Sequence, residues 1–545
     1  MKRLPIGKED FKKLIDQDCY YIDKTNLVSD ILAEEIAFYT RPRRFGKTLA
    51  MSMLSYFFSI KEKENAYLFD GLNITKNKEA LKHQNQYPVI FVTLKDLKDN
   101  TFMDQLENFK GIISELVSKN KELITSPYLD EIDKDLLKKY KSGSVNKSEL
   151  QRSLRFLCSC LELHYHKKVI VLIDEYDVPL QDAYLNNYYD EMIVFLRNVF
   201  SNTLKTNDSL EKGVLTGCLR IARESIFAGL NNFNVYSVLQ QHSNTAFGFT
   251  PENTARILKD YDLESYENIV EEWYDGYLFG QSEIYNPWSV LKFIQKCIQE
   301  SPIPESFWAN TSGNDIIYRY IQQGTVAMRN EFDALTRGKS IEKTINPELT
   351  YREMEDTDHI YSFLLFTGYL KIVETTGINT YKLKIPNKEI ETIYVDIFAQ
   401  WFNKYLKQNS RSFYSSLINE EEDKAREILN GILFQSISYF DAKEDFYHGF
   451  LAGMLQDHHV IYNRESGSGR FDLAIIPDDF MKRGIIIECK HSNSLKYLEK
   501  ESELAAEQIR EKQYIEGYLA NGYTDFIGYG IAFYKKSCFI TKLVK

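Results

Sequence analysis

A short apolar segment at residues 36–40 runs directly into a basic loop and then into a helical pattern that continues to residue 58. The loop ends in Gly46, Lys47 and Thr48, the residue types that a phosphate-binding loop places at the start of a helix. Such a loop needs a strand before it and a helix after it, because backbone N–H groups and the helix N-terminus hold the phosphates. The order of these three segments therefore predicts a strand, a loop and a helix.

Three further apolar segments, at residues 89–94, 169–173 and 214–217, alternate with helical patterns over residues 30–245. Continuous apolar strands separated by helices are typical of a parallel sheet that is covered on both faces. We therefore predict an α/β fold, with a P-loop domain over residues 1–245.

Two acids, Asp174 and Glu175, follow the apolar segment at residues 169–173. At such a strand end, one carboxylate holds magnesium through water and the next polarises the attacking water. We predict that Lys47 reaches the β and γ oxygens of ATP, and that Thr48 and Asp174 hold Mg²⁺. Glu175 is then the predicted catalytic base. The alternative is that the two acids only cap the following turn.

The loop departs from the common P-loop pattern, because Arg41 stands where the first glycine usually lies. Taken alone, this part of the loop also fits a basic turn before a helix. Together with the acids of the partner motif, it favours nucleotide binding. Arg44, Phe45 and Gly46 are therefore predicted to line the nucleotide site with Lys47.

The segment at residues 214–217 contributes further candidates at its end. Thr216 is placed to sense the γ-phosphate from the neighbouring strand, and Arg220 or Arg223 to stabilise transferred charge. The alternative is a polar strand end followed by solvated arginines.

The middle of the chain divides into two predicted regions. Residues 246–325 have mainly helical patterns and are predicted to form a lid. Residues 326–415 are predicted to form a connector followed by a winged-helix-like region of a helix, a hairpin and a helix. The hairpin is predicted to turn near Gly377 and Asn379.

The C-terminal region, residues 416–545, contains a strand pattern in which Glu488 and Lys490 share a face. Ile487 and Cys489 are predicted to point the other way, into a core. The preceding strand pattern carries Asp472 and is joined by a short turn, so Asp472 is expected beside Glu488.

Two adjacent carboxylates repel each other unless a cation lies between them. Oxygen ligands without nearby histidine or cysteine side chains favour Mg²⁺, with Mn²⁺ also suitable. Asp472 and Glu488 are thus predicted metal ligands, while Lys490 positions a water or neutralises developing charge. This chemistry is phosphodiester hydrolysis. The alternative is a salt bridge on an exposed strand.

Two helical patterns flank these strands. Glu444 lies upstream, on the same predicted helix face as the apolar Tyr447. Gln508 lies downstream on an apolar stripe, where a buried polar side chain needs a partner. The stripe consists of Leu504, Ile515 and Leu519.

The chain resembles the bacterial and archaeal AAA-ATPase-like proteins that carry PD-(D/E)xK nuclease domains. The resemblance lies in YIDKT at 21–25, RPRRFGKT at 41–48, LIDEYD at 172–177, LTGCLRIARESIFAGLNN at 215–232 and YNPWSVL at 285–291. In that family an arginine-rich loop replaces the first P-loop glycine. The resemblance also implies a lid proline near adenine, here Pro287. The alternative is that Asn286 and Pro287 simply start a helix.

The C-terminal motifs resemble the PD-(D/E)xK pattern of an acid on the first helix, an aspartate, an ExK strand and a helix bearing glutamine. The resemblance implies an active site of Glu444, Asp472, Glu488, Lys490 and Gln508, with Tyr514 in support. Cys489 would supply its backbone carbonyl to the metal. Glu465 and Arg470 are further candidates.

The whole-chain composition limits the partners and the location. A net charge of −11 argues against general nucleic-acid affinity, so any nucleic-acid contact is expected to be local. No uncharged apolar stretch reaches the roughly 18 residues that span a bilayer, so no membrane partner is expected. Seven scattered cysteines without a CxxC pair indicate neither zinc nor a disulfide framework. A cytoplasmic location is expected.

These observations favour an ATP-controlled, Mg²⁺-dependent nuclease that acts on DNA or RNA, with homo-oligomer formation left open. Defence against foreign nucleic acid is one biological role compatible with that combination. The alternative is a nucleotide-dependent signalling switch or scaffold whose C-terminal fold binds a partner without cutting. The intact aspartate, glutamate and lysine set argues against this alternative.

Overall fold

The computed structural model describes most of the chain. It covers residues 2–205, 207–219, 233–308, 326–351, 353, 359–435, 444–455, 458, 460–466 and 469–544. Some residues are described by their backbone alone, namely 326, 329, 333, 398–408, 434–435, 444–446, 448–449, 462–466 and 469–470.

A five-stranded parallel sheet forms the centre of the N-terminal region. Its strands are β1 (Ile36–Thr40), β2 (Val89–Thr93), β3 (Val169–Asp174), β4 (Leu210–Gly217) and β5 (Asn234–Tyr236). Their order in the sheet is β2-β3-β4-β1-β5, and every neighbouring pair is parallel. Every residue of β1 and β3 is buried, which explains their continuous apolar sequences. The four predicted strands are confirmed, and β5 is an addition too short to show a sequence pattern.

Nine helices belong to the described part of this region. They are α1 (Phe11–Asp16), α2 (Leu27–Leu32), α3 (Lys47–Phe58), α4 (Lys78–Leu81), α5 (Phe102–Lys119), α6 (Glu131–Ser142), α7 (Lys147–Tyr165), α8 (Val178–Leu185) and α9 (Tyr189–Leu204). Short 3₁₀ segments lie at Ile60–Phe69, Asn73–Lys76 and Lys121–Thr125. Helices α3 and α7 pack on β3, and α9 packs on β4, so the α/β class predicted from the sequence is confirmed.

The predicted lid region is helical, with one addition. Its helices are α10 (Pro251–Asp260), α11 (Glu267–Tyr274) and α12 (Pro287–Gln299), with a 3₁₀ turn at Glu264–Tyr266. Between α11 and α12 lies a small antiparallel hairpin of β6 (Tyr277–Phe279) and β7 (Ser282–Ile284), which was not predicted. Its turn contains Gly280 at φ 58°, a conformation that glycine adopts readily.

The next region contains a second small sheet. Its elements are α13 (Val326–Thr336), β8 (Ile341–Thr344), α14 (Ile360–Thr367), β9 (Lys371–Gly377), β10 (Thr380–Lys384) and α15 (Lys388–Ile418). The predicted hairpin turn near Gly377 and Asn379 is confirmed, and Asn379 has φ 54°. The sheet order is β8-β10-β9. The segment expected to be a connector therefore contains a helix and a strand.

The C-terminal region is a mixed sheet with helices. Its elements are α16 (Glu422–Gln435), α17 (Glu444–Met454), β11 (Val460–Ser466), β12 (Gly469–Ile475), β13 (Gly484–His491), a 3₁₀ turn (Leu495–Tyr497), α18 (Leu498–Glu511), α19 (Tyr514–Leu519), β14 (Phe526–Tyr534) and β15 (Ser537–Lys542). The strands are ordered β11 to β15 across the sheet, with β13 and β14 parallel and the other pairs antiparallel. Strand β11 was not predicted, and the last helix is split in two at Gln513, which has φ 54°.

The chain forms two compact units. One comprises Met1–Ser312 with Ser340–Ile393, and the other Gly313–Lys339 with Tyr394–Lys545. The parallel sheet lies in the first unit and the mixed sheet in the second. The division at residues 245, 325 and 415 stays a prediction. None of the helices described is both long and apolar enough to cross a membrane.

Candidate functional site

The first candidate site is the loop between β1 and α3. Gly46 immediately precedes α3 and has φ 86°, while Arg44 has φ 70°. Two left-handed residues in three turn the chain sharply from the strand into the helix. Lys47 follows as the first residue of α3 and is buried. The loop therefore has the strand, turn and helix order that a phosphate site requires.

Arg41, at the usual position of the first glycine, is completely buried. Its guanidinium donates hydrogen bonds to the carbonyl oxygens of Tyr236, at 2.5 Å, and Ser243, at 3.3 Å. The rings of Phe247 and Phe279 lie 5.5 and 5.2 Å from its guanidinium carbon. Burial lowers the pKa of Arg41 to about 10. Arg41 thus ties the end of β1 to residues after β4, which explains an arginine at this position.

The Lys47 side chain lies within its own loop. Its ammonium donates to the carbonyl oxygens of Arg41, at 3.1 Å, and Pro42, at 3.0 Å. Its Nζ also lies 4.0 Å from Oε1 of Glu175 and 3.5 Å from the Cys218 sulfur. The backbone of the loop therefore encloses the one cation that a P-loop directs at the β and γ phosphates.

The ends of β3 and β4 and the start of α3 bring the next three candidates together. Asp174 and Thr216 are fully buried, and the Thr216 hydroxyl donates to Oδ1 of Asp174. Burial raises the pKa of the Asp174 carboxyl, while hydrogen bonds from Thr216 and Thr48 oppose the rise. Thr48 and Asp174 thus lie together as a hydroxyl and a carboxylate, the donor types that suit Mg²⁺. Thr216, expected to sense the γ-phosphate, contacts Asp174 here.

Glu175 differs from the neighbouring acids in exposure and backbone conformation. Its side chain is 21% exposed, and its φ is 55°. Asp177, two residues further on, is buried and accepts hydrogen bonds from the backbone of Cys218 and Leu219. Asp177 was not among the residues predicted from the sequence, although a third acid after a buried strand is a detectable signal. Arg220 and Arg223 lie outside the described residues.

The lid region contacts the loop directly. The Arg44 guanidinium carbon lies 4.4 Å from the ring centroid of Trp288, a cation–π arrangement. The Phe45 carbonyl accepts a hydrogen bond from Gly248 N at 3.1 Å, and the Phe45 ring packs edge-on against Tyr277 at 4.9 Å. Two predicted nucleotide-site residues are therefore held by the lid, and Trp288 was not predicted.

Pro287 lies at the beginning of α12. The buried Asn286 side chain accepts hydrogen bonds from the backbone N–H groups of Trp288, at 3.0 Å, and Ser289, at 3.4 Å. The interpretation that Asn286 and Pro287 start a helix is confirmed. A role for Pro287 near adenine stays a prediction.

The second candidate site lies on β12 and β13. Leu473 pairs with Ile487 in this antiparallel ladder, so Asp472 lies beside Glu488 as predicted. Asp472 N donates to Oε2 of Glu488 at 3.4 Å, and Oδ2 of Asp472 accepts from Cys489 N at 2.8 Å. Ile487 and Cys489 are buried, as expected, but Glu488 is buried too, at 4% exposure.

Gln508 of α18 joins the lysine to the glutamate. Its side-chain amide donates to Oε1 of Glu488, and its Oε1 accepts from Nζ of Lys490 at 3.0 Å. Tyr514 of α19 is buried and also hydrogen-bonds Gln508. The structure therefore brings Asp472, Glu488, Lys490 and Gln508 together as one network.

The apolar stripe from which Gln508 was selected in the sequence was predicted wrongly. Leu504 and Leu519 are 48% and 43% exposed, so the expected buried stripe does not exist. The helix breaks at Gln513, and the two halves present different faces. The hydrogen-bond partners of Gln508 are instead Glu488 and Lys490 of β13.

The other C-terminal candidates are placed by backbone alone. Glu444 is the first residue of α17, and the structure describes only its backbone. Glu465 of β11 pairs in register with Arg470 of β12, and they too are described by their backbones alone. Tyr447, on α17, donates its hydroxyl to the Lys535 carbonyl at 2.8 Å.

The electrostatics of the second site favour a cation. Burial, followed by the neighbouring Asp472 charge, raises the pKa of Glu488 to about 8. A divalent ion between two such carboxylates removes this penalty, so Asp472 and Glu488 fit Mg²⁺ or Mn²⁺ as oxygen ligands. Among the described residues, no three histidine, cysteine, aspartate or glutamate side chains form a ligand group. The described carboxylate pair would therefore need further oxygen donors.

The fold and the two sites define a protein that joins a P-loop type α/β domain to a nuclease-type mixed-sheet domain. Residues 5–227 match the family model described as a predicted AAA-ATPase. Residues 442–543 match the model of the PD-(D/E)XK nuclease superfamily. The chain therefore contains an AAA-ATPase-like domain at its N-terminus and a PD-(D/E)XK superfamily domain at its C-terminus, and the resemblance seen in the sequence is confirmed.

One relative among curated proteins covers most of the chain. It is an uncharacterized protein in the vnfD 5′ region of Azotobacter chroococcum mcd 1, 24% identical over 399 residues. The match spans 72% of this chain and 68% of the relative. This similarity carries no activity to the chain.

Proposed function

We propose that the protein binds and hydrolyses ATP and that its nucleotide state controls an attached metal-dependent nuclease acting on DNA or RNA. The observation that carries the proposal is the network of Asp472, Glu488, Lys490 and Gln508, in a chain that also encloses Lys47 in a phosphate-type loop. Each set supplies some of the groups that its proposed reaction needs. The pairing suggests that one reaction regulates the other.

In the nucleotide site, each described residue has a distinct proposed role. Lys47 binds the β and γ phosphate oxygens, and the Arg44 and Phe45 backbone lines the pocket around them. Thr48 and Asp174 would hold Mg²⁺, which neutralises phosphate charge when bound. Glu175, the most exposed of the nearby acids, orients the attacking water and accepts its proton.

In the nuclease site, Asp472, Glu488 and the Cys489 carbonyl would hold Mg²⁺ or Mn²⁺, with Glu444 as a further acid. A bound ion supplies polarisation of the scissile phosphate and a more acidic water. Lys490 neutralises charge that develops on the phosphate, because Gln508 holds its ammonium beside the carboxylates. The result is hydrolysis of a phosphodiester bond.

Control of the nuclease requires that ATP and ADP favour different arrangements of the protein. Cleavage of plasmid, linear DNA and RNA by the full chain should then change by roughly 5- to 150-fold between nucleotide states. The assay compares no nucleotide, ADP and a non-hydrolysable ATP analogue at fixed free Mg²⁺. Lys47→Ala should remove the nucleotide dependence. Identical cleavage rates in all nucleotide states would rule out nucleotide control of the nuclease, even if the protein both hydrolyses ATP and cleaves nucleic acid. Such control would suit defence against foreign nucleic acid.

A second candidate function has one observation in its favour. Among the described side chains, two carboxylates, not three, meet at the second site. A non-cleaving domain that binds a partner under nucleotide control would need no complete ligand set. Retention of nucleic acid in a gel-shift assay without cleavage in Mg²⁺ or Mn²⁺ would favour this candidate.

A further inference from the structure

The turn after β3 holds its backbone in an uncommon conformation. Glu175 has φ 55°, in the left-handed region that a residue with a side chain rarely adopts. Such a conformation persists only where the surrounding structure determines it. The contacts that determine it here come from the next two residues, Tyr176 and Asp177.

Tyr176 and Asp177 bind the end of β4 at four points. Tyr176 N donates to the Thr216 carbonyl at 3.2 Å, and the Tyr176 hydroxyl donates to the Leu219 carbonyl. Oδ2 of Asp177 accepts from Cys218 N at 2.9 Å and from Leu219 N at 3.1 Å. We call these four contacts the β3–β4 clamp.

Gly217 shows how closely the two strand ends approach. A Cβ atom at this position would lie 2.2 Å from Cε1 of Tyr176 and 2.7 Å from Oδ1 of Asp177. Both distances are far below van der Waals contact, so only glycine permits the clamp. The approach fixes the turn that carries Glu175 relative to Thr216, whose hydroxyl binds Asp174.

Burial of the Asp177 carboxylate costs free energy. Asp177 is 3% exposed, and burial raises the pKa of its carboxyl. Its Oδ1 is buried and has no hydrogen-bond partner among the described residues. The two backbone N–H groups that donate to its Oδ2 offset part of this desolvation cost. The position of Asp177, two residues after Glu175, suggests a task connected with that glutamate.

We propose that Asp177 is a positioning residue for ATP hydrolysis: through the β3–β4 clamp it holds the Glu175 carboxylate where it can act on the attacking water. The inference rests on the proposed ATPase function. It implies that Asp177 acts mainly on the hydrolytic step, because the Lys47 ammonium donates to the carbonyls of its own loop and, among the described residues of the clamp, meets only the Cys218 sulfur, at 3.5 Å.

The test is a double-mutant cycle in the full chain, with ATP turnover and ADP binding measured for each variant. Asp177→Ala should lower kcat roughly 10²-fold, the scale expected for a small misplacement of a catalytic group. ADP affinity should not fall in parallel. Asp177→Asn keeps an oxygen acceptor for both N–H groups and should recover most of the rate.

A positioning role predicts that the effects of Asp177→Ala and Glu175→Gln on ATP turnover are not additive. In a Glu175→Gln background, Asp177→Ala should cause little further loss, because the group it positions is already disabled. Gly217→Ala should reproduce the hydrolysis defect by displacing the clamp. Asp182→Asn is the matched control, since Asp182 lies on α8 and accepts from the Tyr188 hydroxyl instead. It should hydrolyse ATP at the wild-type rate.

Three results would overturn the inference. They are wild-type turnover in Asp177→Ala, equal losses in the wild-type and Glu175→Gln backgrounds, and ADP affinity that falls in step with kcat. Failure of the underlying ATPase proposal would give a different result. In that case Lys47→Ala and Glu175→Gln would both show the same ATP turnover as the wild type. If Asp177→Ala does not fold, Gly217→Ala keeps the test decisive, because wild-type turnover in that variant would equally overturn the inference.

Discussion

The two candidate sites differ in what holds their functional lysine. In the nucleotide site, Lys47 donates to backbone carbonyls of its own loop, at 3.1 and 3.0 Å. In the nuclease-type site, Lys490 donates to the side chain of Gln508, which itself binds Glu488. The first lysine is held by the local chain and the second by a side-chain network between a strand and a helix.

This difference predicts different responses to substitution. A backbone-held site depends mainly on the conformation of one short loop, so single side-chain changes outside that loop should disturb its lysine less. A site held by side chains depends on every member, because loss of one leaves the others without a buried partner. The following experiments test whether that contrast is real.

The largest effect is expected in the nucleotide site. Lys47→Ala should abolish ATP binding, and Lys47→Arg should not restore it, because the larger, planar guanidinium does not fit the two loop carbonyls that hold the ammonium. Glu175→Gln should bind ATP but hydrolyse it roughly 10²- to 10⁴-fold more slowly. Equilibrium binding and turnover assays separate the two outcomes.

Lys212→Ala is the matched control for this experiment. Lys212 also donates to two backbone carbonyls, those of Leu32 at 3.0 Å and Glu34 at 2.6 Å, but it lies away from the loop. It should bind and hydrolyse ATP normally. Equal turnover in wild type, Lys47→Ala and Glu175→Gln would remove the P-loop assignment.

The next effect is expected in the nuclease-type site. Asp472→Asn or Lys490→Ala should each lower DNA or RNA cleavage roughly 10²- to 10³-fold, because each removes charge stabilisation at the scissile phosphate. ATP hydrolysis should persist, since the two sites lie in separate compact units. Asp479→Asn and Lys482→Ala, in the exposed turn between β12 and β13, are the matched controls. Metal-dependent cutting by an Asp472→Asn, Lys490→Ala double mutant would show that the activity lies elsewhere.

The same contrast explains how much the sequence could predict. The loop and the acids after β3 are contiguous motifs, so residues 36–58 and 169–175 sufficed to predict their elements and neighbours. The burial of Arg41 could not be predicted, because its acceptors at Tyr236 and Ser243 lie about 200 residues away. The clamp made by Asp177 depends likewise on Cys218 and Leu219.

In the C-terminal region, a short turn placed Asp472 beside Glu488, and this adjacency was predictable from strand periodicity. The contact between Gln508 and β13 was not, because the apolar spacing indicated a stripe whose leucines are in fact exposed. The stripe singled out Gln508 for a wrong reason, and only the resemblance to a known motif placed it in the active site. Periodicity identifies a helix face, but not the strand on which that face packs.

A smaller effect is expected at Gln508 itself. Gln508→Ala should lower cleavage roughly 10- to 100-fold, because residues that orient metal ligands and their neighbours typically have effects of this size. Glu511→Ala, an exposed change on the same helix, is the control. If Gln508→Ala cuts as fast as wild type while Asp472→Asn does not, the side-chain network does not hold Lys490 and the contrast fails.

The smallest effect concerns stability and metal binding at Glu488. Its pKa is about 8 in the folded protein against an ordinary value of 4.5, so between these values the folded state binds the extra proton. For this group, the free energy of unfolding therefore falls as pH rises through that window. Mg²⁺ competes with the proton, so it should raise the melting temperature by a few degrees more above the folded pKa than below it. The measurement is thermal unfolding of Lys47→Ala without nucleotide, which keeps the P-loop site from contributing. Glu488→Gln should lose the pH dependence of the Mg²⁺ effect, whereas an exposed change such as Glu511→Gln should keep it. An equal Mg²⁺ shift on both sides of the folded pKa would mean that no divalent ion replaces the proton between Asp472 and Glu488.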